Sequence, residues 1–257
     1  MFLTSVRLRG AMMAVVLAAG MGSAAVAATF DVTHFDRNQS AAAQSALAAF
    51  QSGGMQGKSV SAIRTEGFEG LKAWDGASGA SNPVTRVGAF TSLGGVGSGG
   101  SSVNGGDRLQ VRSDDPWVWG RYNTSGVDGN WLDSNDTLGI RWDVGGLAKF
   151  NSVAFLLTDV ADVGAKFTIK AGDTLYSQTI GAAGKLANGS IQLVRILLPE
   201  SVSKLTIELR NNRLNDGFGI DGATVAQLAP VPLPPAALLL ISGAGGLVAL
   251  RRRRRAA

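Results

Sequence analysis

The 257-residue chain has no cysteine and a single histidine, His34. Without cysteine there is no disulfide framework and no thiolate nucleophile. One histidine cannot supply the several His or Cys ligands of a usual zinc site. A Ser-His-Asp triad would have to use His34, which lies in a polar stretch, and no G-x-S-x-G elbow accompanies it. Acidic charge is missing from both ends: all 19 Asp and Glu residues lie between Asp31 and Asp221. The sequence pI near 9.9 looks basic. Yet seven of the 24 Lys and Arg residues sit at the ends, as Arg7, Arg9 and Arg251 to Arg255, leaving 17 against 19 acidic residues in between. A near-neutral middle lacks the electrostatic footprint of a phosphate-backbone binder, which excludes nucleic acid as the partner.

What the ends do carry is addressing information. Residues 1–27 place Arg7 and Arg9 ahead of the apolar run Ala11 to Ala19, followed by Ala25-Val26-Ala27. Positive charge, a short apolar segment and an A-x-A site describe a secretory signal peptide, with cleavage expected after Ala27. Residues 230–257 hold Val231-Pro232-Leu233-Pro234-Pro235, an uncharged run from Ala236 to Leu250, then Arg251, Arg252, Arg253, Arg254 and Arg255. Fifteen helical residues would span about 22 Å of a roughly 30 Å hydrocarbon core, a marginal membrane helix. Gly243, Gly245 and Gly246 weaken it further, and the arginines would hold the terminus on the cytoplasmic side.

This arrangement resembles the PEP-CTERM class of sorting signals, in its VPLPA-type variant, which usually has Ala where Pro235 stands. The resemblance implies an exosortase-type processing enzyme as partner, membrane anchoring before processing, and delivery to the surface or exopolysaccharide matrix of a Gram-negative bacterium. It covers the last 27 or so residues and says little of the domain delivered.

Between the ends the chain has two textures. In segment 28–58, Ser40 to Phe50 is rich in helix formers and is followed by Gly53-Gly54. The pattern predicts one short helix with Ala43, Leu47 and Phe50 on one face and Asn38 or Ser40 as cap. From residue 59 to 229, short β-branched and aromatic runs alternate with Gly, Asn, Asp and Ser clusters, the rhythm of many strands joined by turns. Lys166-Phe-Thr-Ile-Lys170 and Lys204-Leu-Thr-Ile-Glu-Leu-Arg210 alternate cleanly. Ser152 to Thr158 is nearly all apolar and is expected to be buried on both faces. With no βαβ rhythm, the fold class expected is mostly β: an antiparallel β-sandwich of jelly-roll or galactose-binding-like type, with a signal helix, one short helix and a C-terminal hydrophobic helix. Three phrases resemble jelly-roll ectodomains carried by PEP-CTERM-type proteins: Thr65 to Gly70 (T-E-G-F-E-G), Phe150 to Gly164, and Asn215 to Gly222. A second acidic residue is common in that group at the position of Gly222.

Two clusters are candidate sites. The segment Asp115-Pro-Trp117-Val-Trp119-Gly-Arg121-Tyr122-Asn123, followed by Trp131, sets flat aromatics among polar residues. In an extended segment Trp117 and Trp119 share one face, and sugars stack on such rings while bonding nearby Asp, Asn and Arg, so Trp117, Trp119, Arg121, Tyr122 and Trp131 are candidate glycan contacts. The competing reading is that the indoles fill the core. By resemblance to lectin-like jelly rolls, Glu66 or Glu69 with Asp221 are candidate ligands of a structural calcium, and Asp159 with Asp162 a second choice. Turn aspartates bonded to backbone amides are the alternative. The function expected is a non-enzymatic surface or matrix protein associated with exopolysaccharide. The alternatives are a secreted carbohydrate-active enzyme using a carboxylate pair, Glu66 and Glu69 foremost among Asp114, Asp115, Asp133 and Asp136, or a purely structural adhesion component.

Overall fold

The computed structural model describes residues 29–75, 78–95, 107–113, 119–124, 129–162, 167–171, 176–180 and 186–230. The expected leader, the expected sorting motif Val231 to Pro235, the arginine cluster Arg251 to Arg255 and the Gly/Ser-rich residues 96–106 lie outside them. Among the described residues no helix is long and apolar enough to cross a membrane.

Among the described residues thirteen strands form two antiparallel sheets, as the alternating patterns require. The first sheet holds β1 (Thr29–Phe35), β2 (Lys58–Glu66), β5 (Gln110–Arg112), β6 (Trp131–Asp133), β8 (Phe150–Thr158), β11 (Ile191–Val202) and β13 (Gly219–Pro230). Its order is β1-β11-β8-β13-β6-β5, with β2 also paired to β13. The second runs β10 (Tyr176–Ile180), β9 (Phe167–Ala171), β12 (Leu205–Asn211), β7 (Gly139–Val144), β4 (Gly88–Ser92), β3 (Val84–Thr85). From β6 to β9 consecutive strands alternate between sheets, and after the β9–β10 hairpin they alternate again through β13. Such crossing from sheet to sheet makes the sandwich of jelly-roll type.

The core lies between the sheets. Ile140, Trp142 and Val144 of β7 and Ile207 and Leu209 of β12 face Val153, Phe155 and Leu157 of β8. Phe90 stacks on Trp142 with centroids 5.0 Å apart, while Phe155 meets it edge-on at 5.9 Å. The Trp142 indole N–H, which would be costly to bury unpaired, donates to the Val87 carbonyl at 3.0 Å.

β8 is buried along its whole length. Its second face is covered by the helix α1 (Ser40–Gly53), whose Ala43, Leu47 and Phe50 pack on Ala154 and Leu156 of β8 and Leu193 of β11. The apolar stripe is the one the spacing predicts, and the Gly54 N–H closes the helix on the Phe50 carbonyl at 2.9 Å. The start differs from expectation. A 3-10 turn, Arg37–Gln39, leads in, and Gln39 Oε1 accepts the Asp36 N–H at 2.8 Å, so the chain enters the helix through Asp36 and Gln39 rather than an Asn38 or Ser40 cap.

Two strands were not foreseen. β1 lies in the polar lead-in of segment 28–58 and pairs with β11 along seven residues, Phe30 and Val32 turning into the core. β6 is only three residues long and is too short for a periodic signal. β13 changes neighbours midway: Gly219 and Ile220 pair with β6, Ala223 to Pro230 with β2. The register against β8 shifts between Asp221 and Thr224. Gly222 sits at this bulge with φ of +60°, and a Cβ there would meet Leu47 Cδ2 of α1 at 2.5 Å. A side chain at 222 would be strained by that backbone conformation and would push the end of the Leu47 side chain aside.

Candidate functional site

Pairing register gathers one end of the first sheet. β6 and β8 finish where β11 and β13 begin, as Gly219 opposite both Thr158 and Asp133, and Ile191 opposite Thr158, show. β1 also ends here, Phe35 lying opposite Ile191. The connections at this loop end carry residues 34–39, 119–124, 134–138, 159–162, 186–190 and 212–218.

Trp119 and Gly120 make a left-handed turn, with φ of 57° and 104°. A Cβ on Gly120 would overlap Asp159 Oδ1 and Asn188 Oδ1, so only glycine lets the backbone press this close. The chain then dives inward. Arg121 is 1% exposed, and its Nη1 donates to Asp133 Oδ1 at 2.7 Å and lies 3.0 Å from Asp136 Oδ1. Asp133, itself without exposure, also accepts Arg112 Nε at 2.5 Å and the Asn135 N–H at 2.9 Å. Burial works against the Arg121 cation, but Asp133, Asp136 and Asp159 together raise its pKa above the ordinary value. Asp159 goes the other way. Burial pushes it up to about 8, with the Gly189 N–H, 2.8 Å from its Oδ1, opposing, Asp162 reinforcing, and Arg121 opposing again. At neutral pH Asp159 is therefore mainly a neutral acid beside a salt-bridged arginine.

The result is an exposed indole on a rigid base. Trp119 is 71% exposed, and Asn188 and Arg37 beside the turn are exposed as well. Tyr122 is half-buried, its hydroxyl donating to the Gly189 carbonyl at 2.9 Å and the Arg37 carbonyl at 3.3 Å. Burial pushes the Tyr122 phenol up to about 12.

Of the candidate glycan contacts among the described residues, Trp119 is exposed and Tyr122 half-buried, while Trp117 lies outside them. Trp131 is fully buried, its ring against Gly219, and Arg121 is enclosed by carboxylates, so neither can touch a glycan. The reason for Trp131 is topological: it belongs to β6, an inner strand paired with β13 and β5. Arg37 and Asn188 were missed because residues 68 or more apart, as Gly120 and Asn188 are, converge only through the sheet, and Asn188 sits in a Gly/Asn turn that gives no other signal.

The candidate calcium residues meet at the β13 neighbour change, in part. Gly67 lies between Glu69 Oε1 and Asp221 Oδ1, 3.3 and 3.9 Å from where its Cβ would be. Glu66 points elsewhere, accepting the Phe68 N–H at 2.8 Å and lying 3.5 Å from Arg86. Glu69 accepts the Asn130 N–H at 2.9 Å, and Asp221 accepts the Thr124 hydroxyl at 2.7 Å and the Gly222 N–H at 2.6 Å. Protein donors thus take oxygens of all three, and among the described residues no group of three or more His, Cys, Asp or Glu is assembled as a metal site. His34 is exposed on β1, with Gln192 Nε2 3.2 Å from its Nδ1. Asp133 and Asp136 are sealed against Arg121, and Asp114 and Asp115 lie outside the described residues.

The protein is thus an antiparallel β-sandwich with one helix layered outside, carrying a polar, ion-paired loop end. No family model matches the chain, and no curated protein matches it in sequence. Among solved structures it is similar to the tandem CBM22 domains of Paenibacillus barcinonensis Xyn10C, with 15% identity, TM-score 0.33, and 67% of this chain and 49% of that one covered. The chain thus spans about half the length of that protein. A xylan-binding CBM22 domain shows 9% identity and TM-score 0.28 over 49% of this chain and 85% of its own. The Stig cyclase Fisc of Fischerella sp. TAU shows 12% identity and TM-score 0.30 over 79% of this chain and all of its own. The fold class rests on this chain's own strand pairing.

Proposed function

We propose that the chain is an exported, non-enzymatic surface or matrix protein that binds polysaccharide at the loop end of its first sheet. Its leader exports it, its C-terminal tail holds it in the membrane, and an exosortase-type enzyme processes that tail to release it to the surface or exopolysaccharide matrix of a Gram-negative bacterium. The order of charge, apolar run and A-x-A site supports the first step. The V-P-L-P-P motif, glycine-interrupted run and arginine cluster support the second and third.

The observation that carries the binding role is Trp119, an indole 71% exposed on a left-handed turn and anchored through Arg121 to a buried ionic cluster. A large apolar ring held in water costs free energy that a ligand face recovers on stacking, and its rigid base lowers the ordering entropy lost on binding. Asn188 and Arg37 beside it supply hydrogen-bonding groups for hydroxyls. A non-enzymatic role is supported by where the described carboxylates go: Glu66 and Glu69 accept backbone amides, and Asp133 and Asp136 are buried against Arg121.

Affinity electrophoresis tests the binding role. The purified full chain in mild detergent is run through gels cast with exopolysaccharide of the producing cells. The wild-type chain is retarded and Trp119→Ala is not, while both give the same circular dichroism. Equal mobility of the two in that gel and in a plain gel refutes the binding role.

A further inference from the structure

The loop end and the chain exits lie at opposite ends of the sandwich. β13 begins at the loop end with Gly219 and delivers Pro230, the last described residue before the tail, at the other. Lys58 is paired with Pro230 and Ser59 with Ala229. The first strand agrees: Phe35 is level with Ile191 at the loop end, while Thr29 is opposite Leu197, which lies level with Ser152 and Ala226 at the exit end. Both connections to the rest of the chain therefore leave from the same end. The ten residue steps from Ala229 to Gly219, at about 3.3 Å each, put about 33 Å between the exits and the base of the Trp119 turn.

We infer that the tail-anchored protein stands on its exit end, with Trp119, Asn188 and Arg37 directed away from the lipid. This deepens the proposed function and rests on its anchoring step. The loop end then fits a polysaccharide lying beyond the membrane, and not the lipid headgroups. β13 is the longest-paired strand, hydrogen-bonded to β2, β6 and β8, so the anchor pulls on the centre of the sheet and not on a loose arm.

A chain without cysteine admits single-site labels. Asn188→Cys and Ser59→Cys, both at exposed positions, are each made in the full chain, labelled with a donor fluorophore and reconstituted in phosphatidylcholine vesicles with an acceptor on the headgroups of both leaflets. Flotation is read first, then energy transfer. The expected result is co-flotation of both variants, with transfer from position 188 at least about threefold weaker than from position 59, since about 33 Å of strand separates them. Co-flotation with equal transfer, or stronger transfer from 188, overturns the orientation and leaves the anchoring intact. Flotation no better than that of a chain stopped after Pro230 overturns the anchoring step and the orientation with it.

Discussion

Two regions of this sandwich are equally dry and are held by different forces. Between the sheets, Phe90, Trp142 and Phe155 are fully buried and make contacts in which stacking adds to area removed from water. At the loop end, Arg121, Asp133 and Asp136 are buried to the same degree, but every one of them carries charge that must be matched. The apolar core tolerates a change of partner of similar size. The ionic cluster tolerates none, because removing one member leaves the others charged and unsolvated. Burial alone therefore does not say how a region resists change, and the loop end gains a defined geometry from the same constraint that makes it fragile.

Paired substitutions break this comparison most sharply. Trp142→Ala should cost about 3–5 kcal/mol by cavity formation, and Arg121→Ala about 3–5 kcal/mol by removing the buried guanidinium that pairs with Asp136 and that shares Asp133 with Arg112. Urea unfolding measures both. Replacing Arg121, Asp133 and Asp136 together by apolar residues of similar volume should return part of the second loss, with Arg112 giving up Asp133 and keeping Gln110, and no comparable rescue exists for the first. If the triple variant is no more stable than Arg121→Ala, the cluster is held by packing and not by charge matching.

Leu47→Ala tests the outer layer, where α1 covers β8. About 2–3 kcal/mol should be lost, with the denaturant slope unchanged if the helix stays docked through Ala43 and Phe50. A fall in the slope would mean that the helix detaches as a unit.

Asp159 sharpens the comparison through pH. Its folded pKa of about 8 lies above that of an unfolded aspartate, so between about pH 4 and 8 the folded state binds more protons and stability falls as pH rises. The slope from this one group is at most about 1.4 kcal/mol per pH unit. Asp159→Asn removes it, so the difference in stability between variant and wild type should grow in the variant's favour from pH 5 to 8 and level off above. Parallel pH profiles for the two proteins would show that Asp159 is ionised in the fold.

The smallest stability effect belongs to the most exposed aromatic. Trp119→Ala should change unfolding free energy by no more than about 0.5 kcal/mol, since its ring makes little contact with the core. Loss of polysaccharide retention with that stability unchanged separates binding from folding. A loss above 2 kcal/mol would make Trp119 a packing residue.

Local chemistry and period were enough to read much of the molecule. The alternation in β9 and β12, the unbroken apolar run of β8, and the Ala43, Leu47, Phe50 stripe closed by Gly54 all follow from spacings of two or 3.6 residues within one element. Such patterns report which face is buried, and burial of one face is enough to define an antiparallel sandwich class. The expected leader and tail are also local readings, as orders of charge and hydropathy along the chain, and lie outside the described residues. Only the tertiary structure decided that Trp131 is inside while Trp119 is outside, that Arg121 is a buried cation, and that Arg37 and Asn188 stand beside the same turn. Each of those depends on which strands become neighbours across 12 to 150 residues of chain, a matter of sheet topology that no single-element spacing encodes.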